Sequence, residues 1–422
     1  MTICARLWAI RTSMWWSGSR GRLNATSSPS ISSMRAPIFR SETMNRREAL
    51  LTLLTQKRNP GYIPVSTYGV DRFSHPWMAE DPSYQDVLAY TDRYDHIQVL
   101  YRSYYASFGL TDILAVDDPE RVTVERWRQE RTVVTRYTLH TPRGNLVAEY
   151  KDIDGNKSTW RERHLMQTDE DIEAFLSMPF RPKSPDPAEY QALQEALGER
   201  GIVQVQLPNP VCLVIENMDY TEFMIRTRTM PEKIDALLER AQQLILEWLQ
   251  GVLAAGMGDS FRIFGPEYCQ PPQMRLSYYQ HAVTQFDRPL VEAIHRAGKV
   301  VQYHCHGPIR ALLDEFLALG VDAIDPCESP PAPTGDITLR EVAERVGNAL
   351  VIMGNIQLDD LERAEPEQID RLVAEAVEAV DGRAPFMLLP TAAPFVTPLP
   401  ERTARNLIQF MDSARKYGGA PA

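Results

Sequence analysis

The stretch that decides the fold is Val300-Val301-Gln302-Tyr303-His304-Cys305-His306-Gly307, a short apolar run that ends in polar residues. Similar runs recur and predict strands at Ile202–Gln206, Ser260–Phe264, Val300–Tyr303, Ala323–Ile324, Leu350–Met353 and Phe386–Leu389. Amphipathic stretches between them predict helices at Pro231–Gly256, Tyr278–Ala297, Ile309–Leu319, Leu339–Val346 and Pro366–Ala379. Strands that alternate with helices indicate parallel βαβ units. Without a glycine-rich nucleotide fingerprint, this succession favours an α/β fold of the (β/α)8 TIM-barrel type over a doubly wound sheet.

The first half of the chain is less regular. Met44–Gln56 predicts a short helix, Tyr62–Val65 a strand, and Asp81–Leu100 a second helix that begins with a capping acid and a proline. Val122–Arg163 alternates apolar and polar residues and contains two turn signals, which predicts antiparallel hairpins. A proline-rich connector follows at Arg181–Pro187. We therefore expect one TIM barrel over 44–422, with an N-terminal β-hairpin insertion at 122–163.

Composition excludes several classes of partner. The formal net charge is -11 and the pI is near 5.4, so the chain repels phosphate backbones and nucleic acid is not expected. No apolar run is long enough to span a bilayer, so no membrane is expected either. The five cysteines are scattered and odd in number, which indicates a reducing compartment and a cytoplasmic location. A homodimer is left open.

The segment Met1–Thr43 differs in kind from the rest. It holds six arginines, many serines and a single acid, Glu42. This composition fits either a transit peptide or a mis-called start, with the true protein opening at Met44. We favour the mis-called start, and we leave the segment out of the fold.

Polar clusters follow most of the predicted strands from Ser260 onward, and in a (β/α)8 barrel such strand ends form the active-site face. His304 and His306 are two residues apart, so in an extended segment they share a face while Cys305 points to the wall. Two imidazoles supply part of a zinc site, and the next strand offers Glu328, with Cys327 as the alternate. The prediction is a divalent metal, Zn²⁺, held by His304, His306 and Glu328. Proton transfer or anion binding without a metal is the alternative.

Other residues near the strand ends are weaker candidates. Glu267 is expected to act as a catalytic base, a further metal ligand or a substrate-binding carboxylate, unless it only holds a turn. Asn355 is expected to hydrogen-bond the substrate or to cap a helix. The expected substrate-binding residues are Asn217, Asp219, Tyr268 and Thr391. A rim or lid role is considered for Tyr62, Tyr68, Arg72 and His75.

Four stretches resemble the uroporphyrinogen decarboxylase superfamily: 300–307, Gly320-Val321-Asp322-Ala323-Ile324, Met353-Gly354-Asn355-Ile356 and Thr397-Pro398-Leu399-Pro400-Glu401. In motif the resemblance is closest to the corrinoid- and coenzyme M-dependent methyltransferases, and more remote to cobalamin-independent methionine synthase. These methyltransferases carry His-x-Cys-Gly, so the resemblance places their first metal ligand at His304 and their cysteine ligand at His306. The acidic ligand of the methionine synthase corresponds to Glu328.

Two departures from the family pattern alter what the resemblance implies. The methyltransferases have a cysteine in the turn after the last strand, where this chain reads Pro390-Thr391-Ala392-Ala393. Without cysteine ligands the site becomes a harder nitrogen and oxygen site. The arginine-rich signature of the decarboxylase is also missing between Met44 and Phe73.

The resemblance thus implies a zinc-dependent methyltransferase that acts on a small methylated compound or on a separate corrinoid protein. The chain contains no Asp-x-His-x-x-Gly run, so no cobalamin is expected on this chain itself. A decarboxylase-type carboxy-lyase is the alternative, and a non-catalytic ligand-binding barrel is the second alternative.

Overall fold

The computed structural model describes residues 44–101, 121–157, 159–180, 182, 184–330 and 335–419. The predictions for Met1–Thr43 fall outside these residues. The strands are β1 (Ile97–Tyr101), β2 (Val122–Gln129), β3 (Thr132–Thr141), β4 (Gly144–Ile153), β5 (Thr159–Arg163), β6 (Gly201–Pro208), β7 (Ser260–Phe264), β8 (Val301–His304), β9 (Ala323–Asp325), β10 (Val351–Ile356) and β11 (Phe386–Pro390).

The helices are α1 (Arg46–Gln56), α2 (Trp77–Glu80), α3 (Gln85–Tyr94), α4 (Asp169–Leu176), α5 (Pro187–Leu197), α6 (Pro210–Glu216), α7 (Tyr220–Thr229), α8 (Pro231–Ala254), α9 (Leu276–Tyr279), α10 (Gln285–Arg296), α11 (Leu313–Leu319), α12 (Leu339–Val346), α13 (Leu358–Arg363), α14 (Pro366–Val380) and α15 (Glu401–Gly418). A π-helical turn at Gln280–Thr284 joins α9 to α10. Among the described helices, none is long and apolar enough to cross a membrane.

The main sheet is parallel and curled. Its strand order is β1-β6-β7-β8-β9-β10-β11, so six of its strands match the six predicted in the second half of the chain. The segment around Val65 contacts both edges of the sheet. Ser66 N–H donates to Leu388 O at 2.9 Å on β11, and His96 N–H, just before β1, donates to Val65 O at 2.8 Å. The strand predicted at Tyr62–Val65 is a single bridge here, so the described sheet has seven strands.

Apolar side chains fill the inside of the curl at the amino-terminal ends of the strands. Leu50, Leu53 and Leu54 of α1 form one cluster with four residues at the strand starts, Ile202, Ala323, Val351 and Met387, and with Met353 and Leu389 further along β10 and β11. A second and larger core lies between the strands and the outer helices. Because the strands are parallel, the polar residues at their carboxyl ends gather at one end of the sheet. Helix α1 occupies the other, amino-terminal end.

The helix predicted at Asp81–Leu100 is partly wrong. Asp81 is the predicted N-cap, and its carboxylate accepts from Ser83 N–H at 2.9 Å. The helix ends at Tyr94, however, and Ile97–Tyr101 forms β1 instead, parallel to β6. In so short a run, the apolar positions do not separate the period of a strand from that of a helix. The run forms a strand because its backbone pairs with the free edge of β6.

A four-stranded antiparallel sheet, ordered β2-β3-β4-β5, covers Val122–Arg163, as the alternation predicted. The β4–β5 hairpin is fastened at two places on the main body. Lys157 N–H donates to Phe395 O at 3.0 Å beyond β11, and Met166 N–H donates to Asn217 O at 2.9 Å beyond α6. The small sheet therefore lies against the loops that follow β6 and β11.

Candidate functional site

His304 and Asp325 are the last residues of β8 and β9, and they are neighbours in the sheet. His304 Nδ1 lies 2.7 Å from Asp325 Oδ2, and both side chains are buried. An ionised carboxylate only accepts hydrogen bonds, so the proton of His304 sits on Nδ1 and its Nε2 carries a lone pair. Such an imidazole can bind a metal or accept a proton through Nε2.

Asp325 is the centre of a buried polar network. Its Oδ1 accepts from Gln302 Nε2 at 2.7 Å, and its Oδ2 accepts from Arg262 Nη2 at 3.0 Å and from Tyr68 OH at 3.2 Å. Arg262 also donates to Tyr68 OH. Burial alone would raise the pKa of Asp325, but the Arg262 guanidinium and the hydrogen-bonded His304 together outweigh burial and hold this pKa well below its usual range.

His304 is neutral in this network. Burial lowers the pKa of His304 to about 3, and the nearby positive charge of Arg262 acts in the same direction. This network therefore contains the ion pair of Arg262 with Asp325. The neutral imidazole of His304 donates a hydrogen bond to the carboxylate of that pair.

His306 and Glu328 form a second pair, in which the pKa of the histidine is shifted in the opposite direction. His306 Nδ1 lies 3.4 Å from Glu328 Oε2, and Gly307 N–H donates to the same oxygen at 2.7 Å. Burial alone would lower the pKa of His306, but the carboxylates of Glu328 and then Glu267 outweigh burial, and the pKa is raised. The rings of His304 and His306 are 4.6 Å apart at their centroids and nearly perpendicular.

Gly307 is required where it stands. Its φ is +88°, and an added Cβ would come within 2.3 Å of Gln270 Nε2. The left-handed φ favours glycine, and a Cβ here would also displace the end of the Gln270 side chain.

The predicted catalytic residues lie around these pairs. Glu267 follows β7, and its charge acts on both His306 and Cys305, which places it within electrostatic reach of the site. Asn355 lies on β10, where its Nδ2 donates to Ser329 Oγ at 2.8 Å. Cys327 is buried, and its thiol lies 3.7 Å from the backbone oxygen of Ile324.

The predicted substrate-binding residues have structural partners. Asn217 Nδ2 donates to Leu213 O at 2.8 Å at the end of α6, and Asp219 caps α7 through Thr221 N–H at 2.9 Å. Tyr268 OH donates to Glu216 Oε1 at 2.6 Å. Thr391 Oγ1 accepts from Leu358 N–H at 3.2 Å. Each of these contacts holds a loop or a helix end in place. A role of these residues in substrate binding stays a prediction.

The predicted three-ligand metal set is only partly in place. Within the described ranges, no three His, Cys, Asp or Glu side chains are grouped so that they could hold a metal ion. His304 and His306 fit as two nitrogen ligands, since a carboxylate stands behind each Nδ1 in the way that supports metal-bound histidines. Glu328 would have to turn from His306 and Gly307 to become the third. The metal stays a prediction.

Three residues of the site were not among the predicted catalytic or metal-binding residues. Arg262 and Asp325 were not singled out, and Tyr68 was considered only for the rim. The signal for Arg262 is a charge in the middle of the apolar run Ser260–Phe264, since a buried charge requires a partner.

Comparisons with known proteins give a family and a fold. The family model described as uroporphyrinogen decarboxylase (URO-D) matches residues 190–417, more than half of the chain. No curated protein matches the sequence. Among solved structures, a methyltransferase from Methanosarcina mazei is 14% identical with a TM-score of 0.56, over 87% of this chain and 98% of that one. A D-psicose 3-epimerase is 10% identical with a TM-score of 0.35, over 56% of this chain and 86% of that one. At 14% identity, the likeness to the methyltransferase shows a shared fold alone.

Proposed function

This chain belongs to the uroporphyrinogen decarboxylase family, and on that premise we propose that it is a metal-dependent methyltransferase. Its substrate would be a small methylated compound or a methyl group carried on a separate corrinoid protein. The fold shared with a methyltransferase from Methanosarcina mazei is compatible with this function. The eighth strand position of a (β/α)8 barrel would be taken by the segment around Val65, which reaches both edges of the sheet.

The observation that carries the proposal is the pair of histidines at the end of β8. His304 and His306 stand side by side, and each has a carboxylate at Nδ1. We assign His304 and His306 as metal ligands, with Glu328 as the third and Cys327 as its alternate. A bound Zn²⁺ would supply Lewis-acid activation of a heteroatom on the substrate.

The residues of the chain divide the remaining work. Asp325, held by Arg262 and Tyr68, keeps the proton of His304 on Nδ1 and its lone pair on Nε2. Glu267 is proposed to accept a proton from a substrate bound near His306, and its electrostatic influence on His306 supports this role. Asn355 is proposed to orient the substrate from β10.

A carboxy-lyase is the second candidate function, and the raised pKa of His306 favours it. A protonated His306 beside Glu328 could hold a substrate carboxylate without any metal. The two candidates therefore differ in the charge of His306 and in the need for a metal.

Elemental analysis of the purified protein distinguishes them. The methyltransferase proposal requires about one transition-metal equivalent per chain, which the double variant His304→Ala, His306→Ala should lack. The matched control is His281→Ala, since His281 is half-exposed and pairs with Asp235 on the outer helices. Metal retained by the double variant, or none in the wild type after growth with zinc, would reject the assignment and leave the carboxy-lyase.

A further inference from the structure

Two glutamines on β6 are equally buried but differ in their hydrogen bonds. Gln204 and Gln206 are two residues apart, so they share a face of the strand. That face is the inside of the curled sheet, because Ile202 belongs to the inner cluster while the alternating residues 203, 205 and 207 belong to the outer core. Both side chains are buried, with exposures of 1% for Gln204 and 0% for Gln206.

The amide of Gln204 is satisfied and that of Gln206 is not. Gln204 Nε2 donates to Ser260 Oγ at 3.0 Å and to Gln302 Oε1 at 2.9 Å. Gln206 Nε2 and Oε1 are both shut off from solvent, and neither has a hydrogen-bond partner among the residues that the structure describes. A buried amide left in this state destabilises a fold, and native structures rarely keep one without a use for it.

The position of Gln206 connects it to the candidate site. In the sheet register Gln206 is opposite Arg262 on β7. Arg262 is ion-paired with Asp325, which in turn holds His304. Gln206 is also nearer than Gln204 to the carboxyl end of β6, the end at which the site lies. The charges of Arg262 and Asp325 compensate each other, so a group bound between Gln206 and this pair has no net charge to neutralise.

We propose that Gln206 binds the substrate by hydrogen-bonding a neutral group that both donates and accepts, namely a hydroxyl or a carboxamide. An amide presents an N–H donor and a C=O acceptor side by side. A carboxylate would offer acceptors alone and leave Gln206 Oε1 facing another oxygen, and an ammonium would offer donors alone. The inference rests on the proposed function, for which it names a substrate class.

The first test compares two matched variants in the absence of ligand. Gln204→Met should lower the thermal unfolding midpoint, because it removes the hydrogen-bond partner of Ser260 and Gln302. Gln206→Met should leave the midpoint unchanged or raise it, because it removes a buried amide that has no partner. If Gln206→Met lowers the midpoint as much as Gln204→Met does, Gln206 has a partner within the protein and the inference is wrong.

The second test uses four probes of similar size: phenol, benzamide, benzoate and toluene. Calorimetric titration of the wild-type protein should show phenol or benzamide binding at least about ten-fold more tightly than benzoate and toluene. The Gln206→Met variant should lose this preference, and the better of the two neutral probes tells hydroxyl from carboxamide. Absence of binding by both neutral probes, a preference for benzoate, or an unchanged preference in the variant would each overturn the inference. Both tests are run on protein dialysed against a chelator, so that benzoate cannot bind a metal ion. A wild-type protein that never holds zinc would therefore refute the proposed function and leave this inference standing.

Discussion

At the scale of single residues, Glu328 influences whether His306 carries a proton or is free to bind a metal. Its carboxylate accepts from Gly307 N–H and stands 3.4 Å from His306 Nδ1, so it favours the protonated form of His306. A metal ligand must be deprotonated, so metal and proton compete for this imidazole. If Glu328 turned towards a bound metal, it would release His306 from that influence and complete the ligand set.

Metal affinity in two single variants tests which neighbour completes the site. Glu328→Gln should weaken zinc binding by at least about ten-fold, because the amide is a poor ligand and a poor support for His306. Cys327→Ser should change the affinity little, since the Cys327 thiol faces the Ile324 carbonyl and burial raises its pKa. Competition titrations with a chromogenic chelator measure both. The reverse order of effects would put Cys327 in the site in place of Glu328.

The sequence predicted those site residues that depend on local spacing. His304 ends β8 and His306 lies two residues later, just beyond the strand, and the structure places their rings side by side, as their spacing predicted. The partners of Asp325 could not be predicted in the same way. Tyr68 and Arg262 reach it from strands or loops 257 and 63 residues away along the chain. No local period encodes such contacts, because they depend on how the sheet curls.

At the scale of elements, the small antiparallel sheet is joined to the main body by a buried ion pair. Arg161 on β5 lies 2.6 Å from Glu216 at the end of α6, and the side chains are 4% and 16% exposed. Glu216 also accepts from Tyr268 OH, so the pair links β5 to the loops after β6 and β7. The sheet thus supports the turn that carries Glu267.

Equilibrium unfolding in urea should reveal this link. Arg161→Met leaves the Glu216 carboxylate buried and unpaired, so the unfolding free energy should fall by about 3–5 kcal/mol. The control is Arg128→Met, which removes a pair with Asp154 whose side chains are 57% and 46% exposed, and which should change the unfolding free energy little. Equal effects of the two variants would show that the buried pair does not hold the sheet.

The strands and helices differ in how well the sequence pattern predicts them. Long amphipathic helices and apolar strands from Ile202 onward were predicted because each has an unambiguous period and clear turn residues. β1 was missed because five residues that directly follow a helix carry too few periods to separate strand from helix. Its conformation is set by pairing with β6, which lies about a hundred residues later in the chain.

At the scale of the whole molecule, buried acids make stability depend on pH. Asp95 is buried and accepts from Thr67 Oγ1 at 2.5 Å. Burial, with the charge of Asp71 acting in the same direction, raises the pKa of Asp95 from 3.8 to about 7. A raised folded-state pKa means that the folded protein holds this proton more tightly than the unfolded chain does. The stabilisation is fully present below pH 3.8 and is lost as the pH rises through 7.

Unfolding free energies of the wild type and of Asp95→Asn, measured from pH 4 to pH 8, test this prediction. The asparagine can keep both contacts with Thr67, accepting from its N–H and donating to its hydroxyl. The variant should therefore gain on the wild type as the pH rises, by at most about 4 kcal/mol at about 1.4 kcal/mol per pKa unit. The exposed Asp86→Asn serves as a control that should follow the wild type. A constant difference between wild type and Asp95→Asn across this range would contradict the assignment.

The leucines of α1 limit the directions from which a ligand can reach the site. Within the part of the chain that the structure describes, Leu50, Leu53 and Leu54 close the sheet at its amino-terminal end. A ligand of the polar strand ends would then have to approach from the opposite end of the sheet, where the loops that carry Tyr68 and Glu267 lie. If the proposed function holds, a methyl donor and a methyl acceptor that share one way in would bind and depart in turn. The order of events in the reaction would thus be set by a helix that touches neither reactant.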